Sequence, residues 1–507
     1  MIRLSITCLV LFGMVRADVP SVMLPVQHWG YAYLDRLEAK GLINTHDLRA
    51  RPLSRRRIAE LVKRIRAESS RRPDVLTRAE LLLLSQLESD LSDELEGEIE
   101  PEPHIMTWQE QGGRALFDLA GSQRFIAARS DSILSETTLG AIVRGHVGNT
   151  LGFYLEAHNS AVRGQDHVEE NFDPSQGTPI VTSGRSAYRD RANAYFVWGG
   201  SRLHLQIGRD TGEWGPGYRG GLTLSRNMPA ADMLRITSCF SRFKFVAMHA
   251  FLNSGVGTKY LAAHRLDLMV TPGLYFGASE TVVYGGRDPE LAYLNPIMPY
   301  HIAEHHLGDR DNNALSFDIT TTLIRGTKLY AELFIDDMTT TKHLTRYFGN
   351  KFAFLIGGLW VEPMRLRNID LRAEYTRIEP YVYTHWDTVN IYTHYDKIIG
   401  HWLGPNSDAA YMEVGMQLGR DLRLEIAAER VRQKGGKADT RSRPAAGENK
   451  TFLQKPVLRR HALQFNVTQQ VRRDLFVSLG AAYVDIRTPS GAQSHDVSAR
   501  FELVFNY

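Results

Sequence analysis

The chain has 507 residues, well above the ~150 of an ordinary domain, so it requires several domains or one large β architecture. Hydrophobic residues make up 43% and charged residues 23%, which excludes a wholly disordered chain. A net charge of +3, from 60 basic and 57 acidic residues, argues against a nucleic-acid-binding protein. Because Cys8 lies in a segment predicted to be removed, Cys239 alone builds neither a disulfide framework nor a cysteine metal site.

Residues 1–17 have the pattern of a secretory signal peptide. Arg3 supplies the positive charge, residues 4–15 are short and mostly apolar, and cleavage is expected after Ala17. An N-terminal core strand is the alternative. Later in the chain no apolar run approaches the ~18–20 residues that a membrane helix requires. We therefore expect an exported protein that is periplasmic, secreted or a β-barrel of the outer membrane of a Gram-negative bacterium.

Residues 18–104 are predicted to form a helical module on the periplasmic side. One helix is expected within residues 29–41, a second after the capping residue Ser54, and a third after the capping box of Thr77 and Glu80. The face opposite the apolar stripe carries a set of cations: Arg55, Arg56, Arg57, Lys63, Arg64 and Arg66. This face is either simply solvated or contacts anionic headgroups or cell-wall polymer.

From residue 105 to residue 507 the hydrophobic period changes from 3.6 to 2. Leu266, Leu268 and Val270, for example, alternate with polar neighbours. About eighteen such segments begin near Arg114, Thr137, Asn149, Ser186, Ser201, Leu234, Arg242, Lys259, Leu274, Ala314, Thr327, Phe352, Ile369, Ala409, Leu422, Arg459, Asp474 and His495. Their lengths suit tilted membrane strands of ~9–11 residues, and an even number is typical of bacterial barrels. A soluble antiparallel sheet is the alternative.

The connections between these segments alternate between short and long. Residues 199–200 and 271–273 are short links, whereas residues 381–408 and 434–458 are long loops. Short periplasmic turns and long outer loops give this rhythm, which places the helical module and the C-terminus in the periplasm. The last segment ends in Tyr507 and looks like the signal that barrel-insertion machinery reads. The fold class predicted is therefore all-β, a transmembrane antiparallel barrel of about 18 strands.

The predicted lumen carries charges of both signs. They are Arg202, Asp267, Glu332, Arg372, Glu374, Arg423, Glu425, Arg500 and Glu502. Such a set suits either a water-filled pore or a lumen closed by ion pairs. A porin or substrate-selective channel is therefore one functional hypothesis.

Aromatic residues in the long loops suggest contact with sugars. Tyr383, Trp386, Tyr392 and Trp402 share one loop, and Asp387 lies among them. Aromatic rings match the apolar faces of sugars, and carboxylates match their hydroxyl groups. An aromatic belt at the membrane interface or packing inside the barrel mouth is the alternative. The expected ligand of these residues is a sugar, bound without a cofactor.

A hydrolase is the third hypothesis. His301, Glu304 and His305 have the spacing of an inverted zinc-protease motif, and Asp336 with Asp337 suggests a glycosidase pair. The histidines follow two prolines in an outer loop, without a long amphipathic helix around them. We therefore expect no metal, no cofactor and no catalytic residue.

Three stretches resemble the capsule assembly Wzi family of outer-membrane proteins. The first contains Gly208-Arg209-Asp210, Trp214-Gly215-Pro216-Gly217, Gly221-Leu222-Thr223-Leu224-Ser225-Arg226-Asn227 and Pro229. The second contains Leu294-Asn295-Pro296 and Asp311-Asn312-Asn313-Ala314-Leu315. The third is Tyr330-Ala331-Glu332-Leu333-Phe334-Ile335-Asp336-Asp337.

The resemblance implies a largely closed barrel that binds or anchors surface polysaccharide and assists capsule or exopolysaccharide assembly, in a lectin-like and non-enzymatic way. In the first stretch, Gly212, Gly215 and Gly217 are expected to allow positive φ angles. Trp214 and Arg219 are then expected to face the lumen or a ligand. A loop folded inward as a plug is the competing interpretation.

Overall fold

The computed structural model describes residues 21–95, 103–128, 133–164, 178–183, 186–434, 437–454, 457–472 and 475–506. The predicted signal peptide, residues 1–17, lies outside the described residues. Within the described part, every helix is too short or too polar to cross a membrane.

Eighteen antiparallel strands close into one barrel. They are β1 (Gly113–Ala128), β2 (Ile133–Val147), β3 (Leu151–Arg163), β4 (Ser186–Gly199), β5 (Leu203–Asp210), β6 (Ala231–Cys239), β7 (Phe243–Leu252), β8 (Lys259–Thr271), β9 (Leu274–Gly285), β10 (Asn312–Thr321), β11 (Thr327–Asp337), β12 (Lys351–Val361), β13 (Ile369–Ile378), β14 (Ser407–Leu418), β15 (Leu422–Gln433), β16 (Leu458–Arg472), β17 (Leu475–Arg487) and β18 (Gln493–Asn506). Each strand begins within four residues of its predicted start. The predicted fold class is confirmed.

Closure joins the last strand to the first. β18 pairs with β1 from Ser498 opposite Ala128 to Asn506 opposite Ala120. Short strands Met106–Glu110 and Thr178–Ser183 pair with the free ends of β1 and β4. Closure matters in lipid because an unpaired strand edge would leave backbone N–H and C=O groups without partners, at several kcal/mol each.

The alternation along the strands separates a lipid face from a lumen face. Leu266 and Ile426 are 43% and 49% exposed, as lipid-facing residues of a barrel should be, whereas Asp267 is 2% exposed inside. Eight of the nine charges predicted in the lumen project inward. The exception is Arg202, which is exposed in the turn before β5, and its prediction was wrong because the strand begins one residue later.

Short connections meet at one end of the barrel and longer ones at the other. The helical module lies at the short-turn end, where the Gly326 N–H donates to the Ala39 carbonyl at 2.7 Å. The C-terminal end of β18 lies at the same end. Since short turns face the periplasm in bacterial barrels, this is the periplasmic end.

The helical module consists of α1 (Gly30–Ala39), α2 (Arg55–Arg71), α3 (Arg78–Asp90) and the short α4 (Ser92–Leu95). Ser54 caps α2, and Thr77 with Glu80 forms the predicted capping box of α3. The charge of the predicted cationic face is partly neutralised within the module. Arg55, Arg57 and Arg66 pair with acidic residues of the module itself, namely Glu94, Asp47 and Glu88.

Candidate functional site

The helical module reaches into the barrel from the periplasmic end. Its segment Ala50–Arg51 forms a two-residue antiparallel pairing with Glu213–Trp214 of the loop after β5. The Lys244 Nζ of the barrel wall donates to the Ala50 carbonyl at 2.5 Å. The module is therefore joined through backbone contacts to both the wall and an inward loop.

That inward loop, residues 211–230, is held by two carboxylates of the wall and is called the plug loop here. Glu332 accepts the Leu222 N–H at 3.1 Å. Glu374 accepts the N–H groups of Tyr218 and Arg219 at 2.7 and 3.0 Å. Backbone N–H groups that would otherwise be buried without partners are thereby satisfied, which favours one inward position of the loop.

The glycines of the plug loop have two different roles. Gly215 has a φ of 97°, as expected, and a Cβ there would lie 2.7 Å from the Glu332 Oε2. Gly212 and Gly217 are not in the positive-φ region, so for them that prediction was wrong. Space explains Gly217 instead, because a Cβ would lie 2.5 Å from the Gly220 carbonyl oxygen.

The loop between β13 and β14, residues 379–406, covers the plug loop from outside and is called the cover loop here. The Tyr383 hydroxyl donates to the Leu222 carbonyl at 2.6 Å, and the Tyr392 hydroxyl donates to the Thr223 carbonyl at 2.9 Å. The two tyrosine rings stack at 5.5 Å. Module, plug loop and cover loop thus form a continuous column through the lumen.

Three of the seven predicted ligand-binding residues are buried inside this column, and two more, Arg219 and Trp402, lie in its plug and cover loops. Trp214 is 2% exposed, and Tyr383 and Tyr392 are fully buried. Arg219 pairs with Glu429 at 2.8 Å and lies near the ring of the half-buried Trp402. The inward-plug interpretation therefore describes Trp214 better than a freely facing side chain does.

The other two predicted residues lie at the outer surface of the cover loop. Trp386 is 64% exposed, and its ring packs against that of His385, with the ring centroids 5.1 Å apart. Asp387 is half-buried and accepts the Val389 N–H at 3.1 Å, so part of its carboxylate caps a 3₁₀ turn. The sequence-predicted residues therefore divide between the column and the outer rim.

The same outer surface holds a cleft of about 650 Å³ between the cover loop and the loop of residues 434–457. Tyr381 and Asn406 contribute from the cover loop. Its cations are Lys434, Lys437, Arg441 and Arg443, and its carboxylate is Asp439.

Most of the positive charge in this outer cleft is available to a ligand. Asp439 pairs with Arg441 at 2.6 Å, and the Lys434 Nζ donates to the Gln454 carbonyl at 2.7 Å. Lys437 and Arg443 are exposed, and no carboxylate of the described residues pairs with either. The cleft therefore presents excess positive charge beside an aromatic ring.

The sequence predictions missed the cations of this outer cleft. The signal was present, since four basic residues stand against one acidic residue between Lys434 and Arg443.

The hydrolase motifs do not converge on a site. His301 and His305 lie on the seven-residue helix Tyr300–His306, with ring centroids 4.3 Å apart. Glu304 is buried, and desolvation, with smaller effects from nearby carboxylates, raises its pKa to about 8. The described residues contain no group of three side chains able to hold a metal ion. Asp336 is used to accept the Tyr383 N–H at 2.7 Å.

Comparison with known proteins gives one family. The family model described as capsule assembly protein Wzi matches residues 136–499, which cover most of the barrel. The chain belongs to the capsule assembly Wzi family. A comparison with curated proteins gave no match.

Among solved structures, Wzi of Escherichia coli is 15% identical, with a TM-score of 0.63 over 95% of this chain and 98% of that one. It is described as an outer-membrane protein involved in group 1 capsule assembly and as a carbohydrate-binding β-barrel. OprD of Pseudomonas aeruginosa is 11% identical, with a TM-score of 0.45 over 78% of this chain and 94% of that one. OccAB1 of Acinetobacter baumannii is 10% identical, with a TM-score of 0.44 over 78% and 96%. Like its Wzi family, this chain is an outer-membrane protein.

Proposed function

We propose that this Wzi-family barrel binds surface polysaccharide at its outer face and assists capsule or exopolysaccharide assembly without catalysing a reaction. The observation that carries the proposal is the outer cleft, with Lys437 and Arg443 exposed beside Tyr381. The description of E. coli Wzi as a carbohydrate-binding barrel for capsule assembly supports it. The column through the lumen also favours holding a polymer over conducting solutes.

The cleft favours an acidic polymer. Guanidinium and ammonium groups donate charge-assisted hydrogen bonds to carboxylates of acidic sugars, and the Tyr381 ring suits an apolar sugar face. Burial raises the pKa of Tyr381, while nearby Arg441 opposes that rise, so its hydroxyl stays a donor at neutral pH. We also propose Trp386, Asp387, Trp402 and Arg219, which do not line this cleft, as further polysaccharide contacts. Trp214, Tyr383 and Tyr392 would act by holding the column in place.

A binding measurement on the purified full-length barrel in detergent tests the proposal. The probe is polygalacturonate, and dextran is the uncharged comparison. At low salt we expect polygalacturonate to bind more tightly than dextran. The double variant Lys437→Gln with Arg443→Gln should weaken polygalacturonate binding about tenfold. Arg310→Gln, which removes another exposed outer cation, is the matched control and should change little. Equal binding of both polymers, or wild-type binding by the double variant, would contradict the proposal.

A cellular experiment separates binding from assembly. A strain lacking the protein should lose cell-associated polysaccharide into the medium, and the wild-type gene should restore retention. The double variant should restore less than Arg310→Gln at equal amounts of folded barrel. Full retention in the strain without the protein would argue against a role in assembly.

The domain boundaries and three further partners, namely lipid, barrel-insertion machinery and cell-wall polymer, are also proposed. We propose a signal peptide at residues 1–17, a periplasmic module at 18–104 and the barrel at 105–507. Outer-membrane lipid would contact the apolar belt, barrel-insertion machinery would read β18, and cell-wall polymer would meet exposed module cations such as Arg64 and Arg78.

A further inference from the structure

A second cavity, of about 240 Å³, lies at the opposite end of the barrel. It opens between the helical module and the wall formed by β12 to β17, and it is called the periplasmic pocket here. Trp29 and Gln86 line it from the module, and Gln417 and Phe476 line it from the wall. Its inner end is formed by Tyr218 of the plug loop. The pocket therefore leads from the periplasmic rim to the base of the column.

The carboxylates that line this pocket already have cationic partners. Arg36 pairs with both Glu80 and Asp370. Arg423 pairs with Glu425 at 2.7 Å. Asp421, in the turn beside them, pairs with Arg420. These pairs occupy the four carboxylates of the lining, and one further cation lines the pocket.

Arg372, on β13, is that further cation. Its guanidinium lies over the Tyr218 ring, 3.6 Å from the centroid, and its Nε is buried without a hydrogen-bond partner. Glu413 stands opposite it on β14 but accepts the hydroxyls of Tyr218 and Tyr411 at 3.0 and 2.6 Å. Among the described residues, no carboxylate forms an ion pair with Arg372. A guanidinium stacked on a ring keeps its N–H edge free for a planar anion.

The remaining lining has the chemistry of a sugar site. The rings of Trp29 and Tyr33 lie 6.1 Å apart and offer apolar faces at the mouth. Gln86, Asn368 and Gln417 are the amides of the lining. The Asn368 Oδ1 already accepts from the Thr77 hydroxyl and the Gln417 Nε2 donates to turn carbonyls, which leaves the Asn368 amide N–H groups and the Gln417 Oε1 for a ligand. The volume is below the ~300–1,000 Å³ of most ligand pockets, so it suits one sugar residue better than an oligosaccharide.

We propose that the periplasmic pocket binds one acidic sugar residue, whose carboxylate pairs with Arg372 while its ring packs against Trp29 and Tyr33. This site is independent of the outer cleft and does not rest on the function proposed for that cleft. Two sources share the chemistry: a uronic acid of the exported polysaccharide and the lactyl carboxylate of muramic acid in the cell wall.

Calorimetric titration of the full-length barrel in detergent tests this site. The probes are galacturonic acid trimer, N-acetylmuramyl dipeptide and, as the uncharged comparison, galactose trimer. We expect at least one acidic probe to bind and Arg372→Gln to weaken it by about tenfold or more. The acidic probe that binds more tightly identifies the source.

Ala32→Trp provides a variant that leaves the barrel wall intact. Ala32 is exposed on α1 and lines the pocket, so a large side chain there should obstruct it. Ala67→Trp is the matched control, since Ala67 is exposed on α2 and does not line the pocket. Loss of binding in Ala32→Trp but not in Ala67→Trp or in the outer-cleft double variant supports the proposal. Binding lost only in the outer-cleft variant, equal binding of galactose trimer, or no binding of either acidic probe overturns it.

Discussion

The two ends of the column are held by different interactions. At the periplasmic end, charged groups fix the module in the barrel: Arg49 pairs with Glu38 at 2.7 Å, and Lys328 of the wall pairs with Asp35 at 2.7 Å. At the outer end, the cover loop contacts the plug loop through tyrosine hydroxyls that donate to backbone carbonyls. Buried charges are costly to leave unpaired, whereas a lost neutral hydrogen bond costs much less. A single substitution should therefore lower the free energy of unfolding more at the module end than at the outer end.

The largest effect is expected from Glu38→Gln. Glu38 is fully buried and lies between Arg49 and Lys328, so the change leaves two buried cations short of a partner. We expect a loss of about 3–5 kcal/mol in the free energy of unfolding, measured by urea titration in detergent. Glu60→Gln, which removes the more exposed partner of Arg57, is the control and should cost less than about 1 kcal/mol. Similar losses in both variants would show that burial of the charges does not set the difference.

A somewhat smaller effect is expected where the plug loop crosses the centre. A Cβ at Gly221 would lie 2.0 Å from the Trp214 carbonyl oxygen, so Gly221→Ala should displace the loop at a cost of about 1–3 kcal/mol or more. Conductance in planar bilayers should rise above that of wild type. Gly447→Ala, in an outer loop with no atom within 4 Å but with a φ of 73°, is the control, since it strains only its own loop backbone and should leave the conductance unchanged. High wild-type conductance would favour the porin hypothesis instead.

A pH titration should separate the two ends further. Burial, and for His401 also Arg219, lowers the pKa of His385 to about 4 and that of His401 to about 3. Their folded pKa values lie below the unfolded value of about 6.5, so the stability they support is present above that pH and is lost as the pH falls toward 4. The hydrogen-exchange protection factors of residues 379–406 should therefore fall between pH 6.5 and 4. Unchanged exchange in that window would contradict neutral histidines in the cover loop.

The opposite pH dependence of stability is expected for His104, at the periplasmic end. Burial alone would lower the pKa of His104, but its hydrogen bond to Asp118 and its ion pair with Asp93 raise it to about 9. The stability it contributes is present below about 6.5 and is lost as the pH rises through 9. The hydrogen-exchange protection factors of α4 should fall above pH 9, and His104→Gln should abolish that step. His28, whose pKa burial lowers to about 3, adds an acid response at this end.

The smallest effect is expected from Tyr383→Phe. The variant keeps the ring stack with Tyr392 but leaves the Leu222 carbonyl without the hydroxyl. We expect a loss of about 1–2 kcal/mol and faster exchange in the plug loop. Tyr381→Phe, whose ring lines the outer cleft, should leave stability unchanged. A larger loss in Tyr381→Phe would reverse the assignment of the two tyrosines.

The sequence predicted the wall of the barrel better than its contents. The alternation of Leu266, Leu268 and Val270 with polar residues follows directly from lipid outside and polar groups inside, so strand starts could be located closely. The glycine-rich stretch around Trp214 indicated a special loop but not its direction. The cations between Lys434 and Arg443 could be identified in the sequence, but they form a cleft only because the cover loop packs beside them.

The sequence by itself determined the strand number, the turn rhythm and the family, because each depends on local periodicity or on contiguous motifs. Only the tertiary structure decided that the lumen holds a column, that Arg55 and Arg57 pair within the module, and that Arg372 forms no ion pair with a carboxylate of the described residues. These outcomes depend on which distant segments meet, for example Ala50 with Trp214. The sequence gives the charge of a side chain, but its partner in the fold can lie hundreds of residues away.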